Sequence, residues 1–266
     1  MESNTTAEGY VTYVVDCPDL TFLPVEVPWD AEFPSVTLQA TAEDALTVRL
    51  VCSISRDTEE TLHNATSVVR RIIGELAFKF SCSIGTPIQT GCYVPYRNSR
   101  GEIRGTVSTT VISSYRCSRS PKKNLKVSEV EEVIGAARDF SSARRASCLA
   151  LYGSARAAND PVARFVLWYT ALDYIVGAKS QSDVDDWILA NYQDVKPLFD
   201  PSCDPKPTKQ AVDRARTKYT DTRNSLAHVH PQEDGFSTAL QRATKLSVQL
   251  ELLVTLAISK KCPPSP

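Results

Sequence analysis

Residues 160–177 read DPVARFVLWYTALDYIVG, and this stretch decides the class of the second half of the chain. Asp160 is a residue type that caps a helix by accepting from the free N–H groups of its first turn. Pro161 follows at the position where a missing N–H costs nothing, and Gly177 stands where a left-handed residue ends a helix. Between them Val162, Phe165, Val166, Tyr169, Leu172, Ile175 and Val176 recur at helical spacing. The pattern predicts a helix with a broad apolar face.

Helical signals continue on both sides of this segment. Toward the C-terminus a shorter helix is expected near 183–191, then a proline-rich loop over 196–207. Two more helices are expected from about Thr208 to His228 and from about Ser237 to Lys260, with a disordered tail over 261–266. Toward the N-terminus a helix covers about 142–157. Before it, Ser128-Glu129-Val130-Glu131 fits a capping box, followed by the apolar stripe Val130, Val133, Ile134 and Ala137. Residues 121–127 are polar and basic and read as a linker.

The first half has another character. Val, Thr, Ser and Pro dominate up to about Arg119. Short β-branched runs at 11–15, 36–40, 46–55 and 105–116 predict strands. One helix is expected within 64–80, where Val68, Ile72, Leu76 and Phe80 fall four apart. Pro18, Pro24, Pro28 and Pro34 suggest an irregular connection. The expected fold class is therefore α+β. A mixed domain of strands and a helix spans 1–120, the linker spans 121–127, an all-helical bundle spans 128–260, and the tail follows.

Composition narrows the function classes. The chain has 266 residues, 42% of them hydrophobic, and a formal net charge of -1. That apolar share supports a substantial core, and the balanced charge argues against a protein that coats nucleic acid through a large basic field. No run is long and apolar enough to span a bilayer, and residues 1–10 lack the basic start and apolar run of a signal peptide. The eight cysteines are scattered without a C-x-x-C pair, which suits reduced thiols in the cytoplasm. His63, His228 and His230 are not spaced with them as zinc ligands. No metal or other cofactor is expected, and the phosphate-loop, dinucleotide-loop and nucleophile-elbow motifs are absent. The acidic run Asp183, Asp185, Asp186 reads as the favoured charge of a helix start after Ser182. Trp168 and Trp187 read as core anchors.

The segment Arg223-Asn224-Ser225-Leu226-Ala227-His228 is the strongest candidate site. On a helical wheel, Val212, Ala215, Tyr219, Thr222, Leu226 and Val229 form one apolar stripe. Arg223, Asn224, Ala227 and His228 fall together on another face. A phosphodiester cleaved by its own 2′-hydroxyl needs a base for the hydroxyl and a cation for charge on the phosphoryl oxygens. A histidine of ordinary pKa and an arginine fork suit those tasks, so no metal is required. From spacing alone the commoner use of such residues is a solvated face that serves solubility only. His230 reads as a helix-end cation. Lys206, Lys209, Arg214, Arg216 and Lys218 form either an RNA track or a solvated face, and a second basic region runs from Arg97 through Arg104 to Lys123.

The pattern Arg-Asn-x-x-x-His near the start of the second-last or last helix of a small bundle resembles the HEPN superfamily. Leu149-Ala150-Leu151-Tyr152 and the Asp160–Asp173 helix resemble the paired first helices of its Apea-like branch, which includes methylamine-utilisation accessory proteins. The resemblance covers roughly 141–258. It implies a metal-independent endoribonuclease working at a homodimer interface and leaving a 2′,3′-cyclic phosphate and a 5′-hydroxyl. Residue by residue, it implies that Arg223 holds the phosphate, His228 transfers the proton and Asn224 orients them. Asp173, where the family often has Glu, takes a supporting role. RNA is the implied substrate, in a toxin or defence setting, with the N-terminal domain meeting a trigger or partner protein. Some HEPN proteins are instead non-catalytic modules that dimerise or bind a nucleotide or partner.

Overall fold

The computed structural model describes residues 8–41, 43–55, 57–110, 122–138, 143–198, 217–227 and 235–263. The fold is α+β. The chain forms two compact units that part between residues 141 and 142.

The first unit is built on alternation. In β1 (Gly9–Asp16), Val11, Tyr13 and Val15 are buried while the residues between them are half-exposed, the period of a strand with one covered face. The same pattern gives β3 (Ser35–Ala40) and β4 (Ala45–Cys52). With β2 (Leu20–Pro28), β5 (Ile88–Arg97), β6 (Ile103–Thr109) and the short β7 (Lys123–Asn124), they form a seven-stranded sheet of order β6-β5-β1-β4-β3-β2-β7. Its pairings are antiparallel except β2 with β7.

Helix α1 (Thr58–Phe80) covers β1 and β5 with Ala65, Val68, Val69, Ile72 and Leu76. Phe80, expected on the same stripe, is only half-buried at the helix end. Asp57 caps α1 by accepting from Glu59 and Glu60 N–H, and the Tyr13 hydroxyl meets Thr66 Oγ1 at 2.8 Å.

Helix α2 (Val127–Arg138) packs on α1 and β2, so it belongs to this unit and not to the bundle where the sequence placed 128–138. Its stripe Val130, Val133, Ile134 and Ala137 is buried as expected. Periodicity announces a buried face without naming the surface that covers it. The cap also differs. Glu129, rather than Glu131, reaches back, and its Oε2 accepts from Lys126 N–H at 2.9 Å. The helix starts at Val127, two residues earlier than Ser128 would allow as a cap.

Three strands are hidden in the sequence, the short β7 falling inside the expected linker 121–127 and pairing with β2. Residues 20–28, expected as irregular, form β2. Pro24 is accommodated because the β2–β3 register shifts between Phe22 and Val25, where a ladder N–H is not called for. Strand β5 carries Gly91 and Pro95, which break its alternation, and its register with β1 shifts between Thr12 and Tyr13. The C-terminal part of the expected strand 105–116 lies outside the described residues beyond Thr110.

The described elements of the second unit are all helices: α3 (Ala143–Ala157), α4 (Pro161–Val176), α5 (Gln181–Asn191), α6 (Lys218–Ala227) and α7 (Gly235–Lys261). Helix α4 is central and packs on α3, α5, α6 and, most extensively, α7. Its ends follow the sequence signals. Asp160 accepts from Ala163 N–H at 2.7 Å, and Gly177 adopts φ 71° while its N–H returns to Asp173 and Tyr174 carbonyls. Phe165, Trp168, Tyr169, Leu172 and Ile175 are buried, whereas Val166, assigned to the same face, is 40% exposed. Trp168 meets Tyr152 edge-on at 4.9 Å, and Trp187 is half-buried.

The tail expected over 261–266 is not borne out at Lys261 and Cys262. Helix α7 runs through Lys261, and Cys262 is buried with its carbonyl bonded by Arg145 and its sulfur 3.5 Å from that of Cys148. Residues 264–266 lie outside the described residues. The six described cysteines form no disulfide among themselves and are all buried. Among the described residues no helix is long and apolar enough to cross a membrane.

Candidate functional site on helix α6

The first turn of α6 is anchored from inside the unit. Thr217, Thr220 and Thr222 are fully buried, unusual for hydroxyl residues unless they are bonded. Thr222 bonds back to the Lys218 carbonyl at 2.7 Å. Thr217 and Thr220 donate to Asp185 Oδ1 on α5 at 2.5 and 2.6 Å. Thr220 also meets the Tyr169 hydroxyl of α4 at 2.9 Å. Thr220 has one proton and gives it to Asp185, so Tyr169 must be the donor in that contact. Burial pushes the Tyr169 hydroxyl up to about 12, against the pull of the Thr220 hydrogen bond, so it stays protonated. Asp185 thus lies buried against the start of α6, where the helix dipole favours an anion.

Sequence reasoning gives Asp185 only a helix-start role and passes over its partners. Helix α5 begins at Gln181, not after Ser182. Ser180 and Asp183 form its capping box, and Asp183 Oδ2 accepts from Lys179 and Ser180 N–H at 2.7 and 3.0 Å. Those backbone bonds, led by Lys179, hold the Asp183 carboxyl below its ordinary range. Asp185 falls on the buried stripe with Val184 and Ile188. A carboxylate at an apolar stripe position was the available signal.

One turn beyond this anchor, α6 carries Arg223 and Asn224, both half-exposed. Arg223 Nη1 donates to Asn224 Oδ1 at 3.2 Å, and Asn224 Nδ2 donates to Gln181 Oε1 at 2.9 Å. Asp173, on α4, lies within the field of Arg223. Partial burial raises its carboxyl, while the Arg223 charge opposes that shift and Asp183 adds to it. The structure therefore brings Arg223, Asn224 and Asp173 into one neighbourhood and adds Gln181. His228 and His230 lie outside the described residues. Of the expected apolar stripe, Tyr219 and Thr222 are buried and Leu226 is half-buried, while Val212, Ala215 and Val229 also lie outside them.

The basic residues divide in the same way. Lys218 bonds Gln249 Oε1 at 2.9 Å, which ties α6 to α7. Lys206, Lys209, Arg214 and Arg216 lie outside the described residues. In the first unit Arg97 and Arg104 bond locally at the β5–β6 turn, to the Gly101 carbonyl and to Glu102, and Lys122 pairs with Asp44 at 2.6 Å. Among the described residues no group of three or more histidine, cysteine or acidic side chains is arranged to hold a metal ion. A separate concavity of about 520 Å³ in the first unit is lined by Glu32, Asp57, Glu60 and Asn64 among others. Two of its acids serve the fold: Asp57 caps α1, and Glu32 holds the Asn64 amide.

The arrangement on α6 can do one thing well. A guanidinium fixed at one nitrogen by Asn224 keeps its remaining N–H donors for an oxyanion. Comparison of the chain with protein-family models, with curated proteins and with solved structures finds no match.

Proposed function

We propose that this chain is a metal-independent endoribonuclease of HEPN type, acting as a homodimer in the cytoplasm in a toxin or defence setting. The observation that carries the proposal is the Arg223 guanidinium, half-exposed and held by Asn224 Oδ1 at 3.2 Å, one turn beyond the buried Tyr219 and Thr220 on α6. In the sequence, His228 stands four positions after Asn224. Arg223 would bind the scissile phosphate and offset charge on its non-bridging oxygens. His228 would take the proton of the 2′-hydroxyl as that oxygen attacks phosphorus. The bond to the 5′-oxygen breaks, and that oxygen takes up a proton, leaving a 2′,3′-cyclic phosphate and a 5′-hydroxyl. Asn224 orients the arginine, and Asp173 supports it electrostatically. The N-terminal unit is assigned to a trigger or a partner protein.

The test is incubation of the purified protein with total RNA in EDTA. Wild type should cleave. His228→Ala should lose roughly 10²–10⁴ in rate, the usual worth of a general base, and Arg223→Ala a comparable factor. His230→Ala should keep most activity. Equal cleavage by wild type and a folded His228→Ala would overturn the assignment, and so would cleavage lost on chelation. No cleavage by wild type would leave the non-catalytic, partner-binding alternative.

A further inference from the structure

The polarity of the hydrogen bonds around Arg223 identifies a residue that no motif contains. Arginine is only a donor. Asn224 must therefore turn its carbonyl oxygen toward Arg223 Nη1, and the contact is 3.2 Å. That choice sends the Asn224 NH₂ group the other way, where it needs an acceptor. Gln181 supplies one, with Oε1 at 2.9 Å from Asn224 Nδ2. If both amides were flipped, Asn224 would present N–H groups to a guanidinium, donor against donor. The chain of bonds has one consistent direction, from Arg223 through Asn224 to Gln181.

Gln181 is itself held. It is the first residue of α5, directly after Ser180, and the Ser180/Asp183 capping box fixes the backbone on both sides of it. The N-terminus of α5 is thereby linked through two side-chain amides to the guanidinium on α6. This linkage is separate from the Asp185–Thr217–Thr220 anchor, which holds the α6 backbone and leaves the arginine head untouched.

We propose that Gln181 is the positioning residue for Arg223. Its acceptor oxygen sets the orientation of the Asn224 amide, and that amide sets the direction of the guanidinium. Gln181 touches no substrate. It acts by denying Asn224 the flipped state in which Arg223 would be released. The catalytic consequence rests on the ribonuclease reading, but the placement of the guanidinium does not.

The experiment compares Gln181→Met, which keeps length and loses the acceptor, with Gln181→Glu, which keeps the acceptor. Nitrogen-15 NMR of the arginine side chains, with Arg223→Lys for assignment, reads the guanidinium directly. In wild type the Arg223 Nη protons should give separate signals because one nitrogen is held. In Gln181→Met they should merge through rotation, and Gln181→Glu should restore them. The parallel RNA assay should show kcat lowered about 10–100-fold in Gln181→Met, the worth of one hydrogen bond to a charged group, and largely recovered in Gln181→Glu. Far-UV circular dichroism checks that each variant folds.

Wild-type Arg223 signals in a folded Gln181→Met would overturn the proposal whatever the RNA assay shows. So would full cleavage by a variant whose arginine signals have merged. Merged signals with a wild type that cleaves no RNA would support the positioning role and remove the ribonuclease reading instead.

Discussion

Tyr169 shows how one buried hydroxyl couples the candidate site to stability. Its folded-state value is raised to about 12, above the ordinary 10.0, because burial disfavours the phenolate. A raised value means that the stabilisation is fully present below the unfolded-state value and is lost as pH rises through the folded one. The window is therefore pH 10 to 12. The loss across it should approach ~2–3 kcal/mol, because the phenolate of a nearly inaccessible ring is disfavoured over the whole of that window. Urea unfolding measured at intervals across it should show the fall. Tyr169→Phe should flatten much of it while leaving the part contributed by Tyr219, whose hydroxyl burial also pushes up to about 12. An unchanged slope in Tyr169→Phe would show that the phenol is not the group that titrates. Neither Tyr169 nor Asp185 was legible as polar chemistry. Each sits at an apolar stripe position, and periodicity assigns such positions to the core without saying that a hydroxyl and a carboxylate meet there.

At the level of elements, local signals succeeded where the chemistry is contained within one turn. Asp160, Pro161 and Gly177 delimit α4 as they stand in the sequence, because capping involves only the nearest backbone groups. The start of α2 is displaced by a competing local choice. Ser128 and Glu131 have the right spacing for a box, but Glu129 makes the bond to Lys126 N–H. Glu129→Ala should accordingly cost about 0.5–2 kcal/mol in thermal or urea unfolding, and Glu131→Ala much less. The opposite order would restore the box to Ser128. Strand β2 escapes the sequence for a different reason. Pro24 reads as a break, and only the shifted pairing with β3 shows that the break falls where no ladder bond is lost.

For the molecule as a whole, the change of periodicity separated a sheet half from a helical half, but the boundary it marked was too early. Helix α2 is helical in sequence and belongs to the sheet unit in space. A fragment of residues 142–266 should therefore keep its helical circular dichroism and unfold cooperatively. A fragment of residues 128–266 should gain little stability from the extra helix, whose apolar stripe would lack α1 and β2. If the proposed function holds, light scattering should give the 142–266 fragment the mass of a dimer. A folded monomer at micromolar concentration would argue against a site shared between two subunits.

Local pattern was enough for the α+β class, the helical nature of 160–177 and the placing of Arg223 and Asn224 together on one helix. All of these depend on periods and caps that span a few neighbouring residues. The tertiary structure alone decided that α2 joins the sheet, that β2 and β5 are strands, that Asp185 anchors α6, and that Gln181 stands behind Asn224. These depend on which surfaces meet, and residues such as Gln181 and Asn224, forty-three positions apart, acquire a shared chemistry only when α5 and α6 are brought together.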